Sequence, residues 1–111
     1  MRVCEEMGRL IQERWGKYNH DEEAFPELAA RVLREMAPYK GFDSMTPIEW
    51  LFSTRDFPRQ LTARSDFGQP PITVFSDHRL VIDLYYWLDG TTDIHQHGFS
   101  GAFQVVWSVP P

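Results

Sequence analysis

The stretch LVIDLYYWLDGTTDIHQHGFSGAFQVV, residues 80–106, decides how this chain is read. Leu80–Trp87 is rich in Val, Ile, Tyr and Trp, the residue types that suit a pleated, half-buried strand. Asp89-Gly90 is a strong signal for a tight turn between strands. Thr91–His97 then reads as the next strand, Gly98 permits a bend, and Ala102–Val106 reads as another. Side chains on a strand alternate between its faces, so His95, His97 and Asp93 share one side. Two imidazoles placed in this way can converge on one cation at metal–nitrogen distances of about 2.1 Å. Neutral imidazole suits Fe, Zn, Cu and Ni alike, so the spacing does not choose the metal.

Upstream, Ile72–Phe75 and Leu80–Trp87 flank the turn residues Ser76–Arg79, and the three pieces form a hairpin. Pro70-Pro71 marks the point where the hydrophobic period changes from that of a helix to that of a strand. Before it, Val3, Met7, Leu10, Ile11, Trp15 and Tyr18 recur at helical spacing and predict an amphipathic helix over Val3–Tyr18. Asn19-His20-Asp21 breaks that helix and offers a cap for the next one. Phe25, Leu28, Ala29, Val32, Leu33 and Met36 form a second, cleaner stripe, which Pro38 stops. Thr46-Pro47-Ile48-Glu49 has a capping-box arrangement that starts a short third helix over Pro47–Ser53. Thr54–Gln69 is irregular and polar, as a linking loop is. Helices first and strands second predict an α+β fold. Its parts are an N-terminal helical region with a linking loop over 1–69 and a sheet region over 70–111.

Composition narrows the function classes. The chain has 111 residues, 42% of them hydrophobic and 14% aromatic, enough for one domain with a core of its own. Its formal charge is −5 and no basic cluster interrupts it, which argues against nucleic acid and anionic membrane as partners. One cysteine, Cys4, makes no intrachain disulfide. No apolar run resembles a signal peptide or reaches the length of a membrane span. The expected location is therefore the cytoplasm.

A turn glycine, a strand bearing His-x-His and a following aromatic strand, Gly90–Gln104 here, resemble the first metal-binding motif of the cupin superfamily. That family folds as a jelly-roll barrel and holds a metal inside it by two histidines and, in many members, a glutamate a few residues later. The glutamate position corresponds to about Gly101 or Ala102, and neither residue can ligate. The departure is similar to the thiol dioxygenase branch, related to cysteine dioxygenase, in which three histidines hold Fe(II). The resemblance implies that His95 and His97 are metal ligands, that the cofactor is Fe(II), with Zn, Mn or Ni as alternatives, and that the partners are O2 and a small thiol or similar metabolite. It also implies a third histidine on a later motif. Trp107-Ser-Val-Pro-Pro111 does not supply one, so the expectation is a truncated or frameshifted cupin with an incomplete barrel. Two other function classes compete with it. One is a non-catalytic cupin that binds a ligand, and the other is a fragment that forms homodimers through exposed sheet edges.

Several residues carry weaker alternatives. Asp93 is a third-ligand candidate, although three consecutive same-face positions on one straight strand span too far for one ion. His78 beside a turn and His20 between helices are weaker ligands still. Tyr85, Tyr86 and Trp87 can line a substrate pocket, but aromatic strand residues more often pack a core. Gln104 is placed to face the metal cavity if the register of its strand allows. Arg55, Arg59 and Arg64 are spread through a loop. Glu22 and Glu23 read as a solvated helix start that complements the dipole. Cys4 has acidic neighbours, Glu5 and Glu6, and nothing to lower its pKa.

Overall fold

Cys4, Met7, Gly8, Ile11 and Trp15 fall on one face of a helix, and that face is where the protein builds its core. In the computed structural model, which describes residues 1–60, 72–85 and 101–106, this helix is α1, Arg2–Gly16. It packs against α2, Phe25–Met36, and against a two-stranded antiparallel sheet. The sheet consists of β1, Ile72–Ser76, and β2, Val81–Leu84. A short 3-10 turn, Pro38–Lys40, and a third helix, α3, Thr46–Ser53, lie between α2 and the sheet in sequence. The protein is thus α+β, with three helices preceding the hairpin. No helix among the described residues is long and apolar enough to cross a membrane.

Trp15 sets the angle between α1 and α2. Its indole N–H donates to the Asp21 carbonyl at 2.8 Å, so the buried polar end of the ring is satisfied. The ring meets His20 edge-on at 5.1 Å and tilts against Phe25 at 4.7 Å. The chain reverses through Asn19 and His20, both left-handed with φ of 54° and 56°. Asn and His are among the residues that tolerate this conformation best. Asp21 accepts from the Glu23 amide at 3.1 Å, which holds the turn before α2 rather than the helix end itself. On the surface Arg14 reaches Glu35 at 2.7 Å and ties the two helices together. An exposed pair of this kind adds little stability.

The later helix ends follow local chemistry. Ala37 closes α2 in the left-handed conformation, φ 46°, and its N–H bonds the Leu33 carbonyl. Pro38 then prevents continuation. At the start of α3 the reciprocal capping bonds lie upstream of the expected Thr46–Glu49 pair. Asp43 Oδ1 accepts from the amides of Met45 and Thr46 at 2.8 and 3.0 Å, while the Asp43 N–H donates to Thr46 Oγ1 at 3.0 Å. Asp43 has a carboxylate where Thr46 has one hydroxyl, and it is the stronger acceptor for orphan amides.

The hairpin carries one irregularity that shapes it. Thr73 faces Asp83 and Phe75 faces Ile82, so Val74 is an extra residue in β1, a bulge. A regular strand buries every second residue, whereas here the consecutive Thr73 and Val74 are both buried. Val74 and Leu80 join the helix core, and Phe75 lies directly over Gly8. A Cβ at Gly8 would stand 2.5 Å from the Phe75 ring.

Secondary structure before the hairpin agrees with the sequence reading to within two residues at each helix end. Three strand expectations fare differently. β2 ends at Leu84, so Tyr85 is outside it, and the rest of the expected Leu80–Trp87 strand lies outside the described residues. The Thr91–His97 strand also lies outside them. The expected strand over 102–106 is corrected: these residues form no ladder. Phe103 and Val105 are exposed, whereas Val106 packs against the core and the Gln104 amide donates to the Leu33 carbonyl of α2. The alternation is real, but a helix end and not a neighbouring strand receives the inward side chains.

Two substitutions test this packing. Gly8→Ala must push the Phe75 ring away from α1 and is expected to cost about 1–3 kcal/mol in urea unfolding. Ala37→Gly relieves a left-handed Ala and is expected to add about 0.5–1 kcal/mol by the same measurement.

Candidate metal centre and the polar groups of the hairpin

His95 and His97, the expected metal ligands, lie outside the described residues, as do Asp93, Tyr86, Trp87 and Arg64. The structure does position the hairpin that leads toward them. Among the described residues no group of three His, Cys, Asp or Glu side chains is arranged to hold a metal ion. His20 is committed to the Trp15 ring. His78 sits in the exposed hairpin turn, where the Arg79 guanidinium donates to its Nε2 at 3.2 Å. Neither histidine is brought near the other or near an acidic cluster. Gln104, expected to face a metal cavity, instead spends its amide on α2, and its Oε1 is buried without a hydrogen-bond partner among the described residues. Arg55 and Arg59 are exposed and gather no acidic-ligand site.

The described chemistry concentrates on the hairpin. Thr73 is fully buried, and its hydroxyl donates to Asp83 Oδ1 across the ladder at 2.7 Å. Its backbone N–H and C=O both engage the side-chain amide of Gln60, each at 2.9 Å. With both backbone groups turned outward, Thr73–Asp83 is a non-hydrogen-bonded pair, the kind in which cross-strand side chains come closest. Asp83 also accepts from the Tyr85 hydroxyl. Burial first, and then the neighbouring Asp83 carboxylate, raises the Tyr85 phenol above its ordinary range. Tyr85, read as packing with pocket lining as the weaker alternative, is thus a half-exposed phenol hydrogen-bonded to a strand aspartate.

Asp77 organises the turn. Its Oδ1 accepts from the amides of Arg79 and Leu80 at 2.7 and 2.9 Å, and its own N–H donates to the Leu80 carbonyl at 3.1 Å. Gln12 of α1 donates to the second carboxylate oxygen and so fixes the turn to the helix. Partial desolvation pushes the Asp77 carboxyl up. The two backbone amides, Gln12 and nearby His78 outweigh it, and the carboxyl is held below its ordinary range. Turn formation was legible in Ser76–Arg79, and an aspartate accepting from amides two and three residues on is a familiar device. Gln60 left no such signal, because its partner is thirteen residues away with no periodic relation to it.

Elsewhere, burial raises the Cys4 thiol to about 11, so it stays neutral inside the core and is no nucleophile. An open groove of about 560 Å3 between α1 and α2 is lined by Arg14, Lys17, Glu23, Glu27, Arg31 and Glu35, with Tyr18 and Leu28. Its charges alternate in sign and two pairs are already matched, Arg14 with Glu35 and Arg31 with Glu27. The groove therefore selects no ligand of one sign.

Because the folded Asp77 carboxyl sits below its unfolded value, its contribution to stability is complete at neutral pH. That contribution is lost as pH falls through the depressed folded value. Asp77→Ala is expected to lower stability by about 1 kcal/mol at neutral pH and by less in acid, read from urea midpoints at both pH values.

A scan against protein-family models, a search of the curated proteins and a search of the solved structures each return no match, so the functional reading rests on this chain's own residues.

Proposed function

We propose that this chain is a cupin-type metal-binding protein related to the mononuclear non-haem Fe(II) dioxygenases that act on small thiols. The observation that carries the reading is the His95-Gln-His97 pair behind an Asp89-Gly90 turn. Its support in the fold is an antiparallel hairpin, β1–β2, immediately upstream, where a barrel's strands precede the motif. The donor set fits the group in kind, since neutral imidazoles are borderline ligands that suit Fe(II) as well as Zn(II) or Ni(II). It supplies two ligands, and a facial site is completed by a third group.

In this reading His95 and His97 hold the metal and fix its position. Fe(II), when bound, supplies open coordination positions at which O2 and a thiol are activated. The chain's own contribution in this reading is a pair of imidazoles whose spacing suits one face of an extended segment. The hairpin that precedes the motif in sequence is fixed to α1 by Asp77 and Gln12. Cys4 remains a buried neutral thiol, in keeping with a reducing cytoplasm.

The purified chain, titrated anaerobically with Fe(II) and separately with Zn(II), is expected to bind one equivalent. Affinity is expected to fall below about pH 6.5, where the imidazoles protonate. His95→Ala and His97→Ala are each expected to weaken binding by at least about tenfold. Oxygen uptake on adding a small thiol to the Fe(II) form marks a dioxygenase, whereas metal binding without uptake marks a binding cupin. Equal binding by the wild type and the doubly substituted chain would sink both.

A further inference from the structure

The outer edge of β1 is closed by a side chain. Gln60 lies outside any helix or strand and is itself exposed, yet its amide engages both backbone groups of Thr73. Nε2 donates to the Thr73 carbonyl and Oε1 accepts from the Thr73 N–H, both at 2.9 Å. The same Nε2 donates to the Pro58 carbonyl at 2.9 Å, which anchors the amide to its own segment. A primary amide presents the donor and acceptor of a peptide group. Gln60 therefore occupies the place that one residue of an adjacent antiparallel strand would take.

We propose that Gln60 is a latch on this edge, and that withdrawing it lets β1 pair with β1 of a second copy of this chain. When the amide leaves, water is the weak substitute in dilute solution, whereas an extended strand offers an N–H and a C=O side by side and replaces the amide bond for bond. A second β1 is the occupant that the geometry fits. Thr73 turns both its backbone groups outward, so two copies related by a two-fold axis beside this residue exchange both bonds reciprocally. The segment Ile72-Thr-Val-Phe75 is rich in the residues that pair as strands. The Val74 bulge is a second guard on the same strand, because it twists the edge and limits the ladder to a short contact around Thr73. Asp83 holds the Thr73 hydroxyl on the far side, so the edge stays aligned when the latch leaves.

The test uses the full chain. In the wild type, amide exchange at Thr73 is expected to be slow and independent of concentration, with the chain monomeric in sedimentation. Gln60→Ala is expected to exchange rapidly at Thr73 in dilute solution. As concentration rises, it should regain protection together with dimers. Gln60→Ala in a His95→Ala/His97→Ala background is expected to dimerise equally, which separates this device from metal binding. A Thr73 amide in the folded wild type that exchanges as freely as an unstructured one overturns the latch, whatever the variant does. A folded Gln60→Ala chain that stays monomeric, or a wild type that dimerises to the same extent, overturns the pairing.

Discussion

The contact between Gly8 and the Phe75 ring is the constraint on which the remaining packing depends. α1 packs on both α2 and the hairpin, and a single face serves both neighbours. Cys4, Met7, Ile11 and Trp15 fill the layer between the helices and the sheet, and Gly8 lets the sheet approach as closely as that layer requires. Interiors are packed densely enough that one added carbon at such a point must be accommodated by moving a strand or a ring. The neutral Cys4 thiol belongs to the same layer and behaves there as a small hydrophobe.

Around this contact, polar groups fix what apolar packing leaves free. Trp15 anchors the first chain reversal, Asp43 starts α3, Asp77 holds the hairpin turn, and Gln60 closes the sheet's outer edge. In each case a side chain satisfies backbone groups that regular structure leaves unpaired, and such groups are costly when buried. Asp77 also reaches a side chain, since one oxygen serves the backbone amides of the turn and the other accepts from Gln12 of α1. The turn end of the hairpin is thereby fixed, and at the opposite end Ile72 lies across from Leu84.

The helices were legible because their apolar residues recur with the helical period, and Phe25–Met36 carries that period without interruption. The hairpin was legible because β-branched residues flank a four-residue turn. The bulge at Val74 was not, since nothing in Ile-Thr-Val-Phe separates a bulged strand from a regular one; it arises because Phe75 must reach Gly8 while Thr73 stays opposite Asp83. The strand expected over 102–106 shows the limit of alternation as a signal. A segment lying on a helix also alternates in burial, and only its hydrogen-bond partners distinguish the two. The proposed histidine pair is a motif of the sequence and of a family resemblance and lies outside the described residues, while Gln60 needed three dimensions to be noticed.

Gln12 and Asp77 stand sixty-five positions apart in the chain, and that separation bears on the order in which the protein is made. α1 leaves the ribosome first and can dock on α2 within a few dozen residues. The part of its apolar face that belongs to the hairpin has no cover until Phe75 and Leu80 have been synthesised. Closing a loop of that length carries an entropic cost that the contacts between the two neighbouring helices do not.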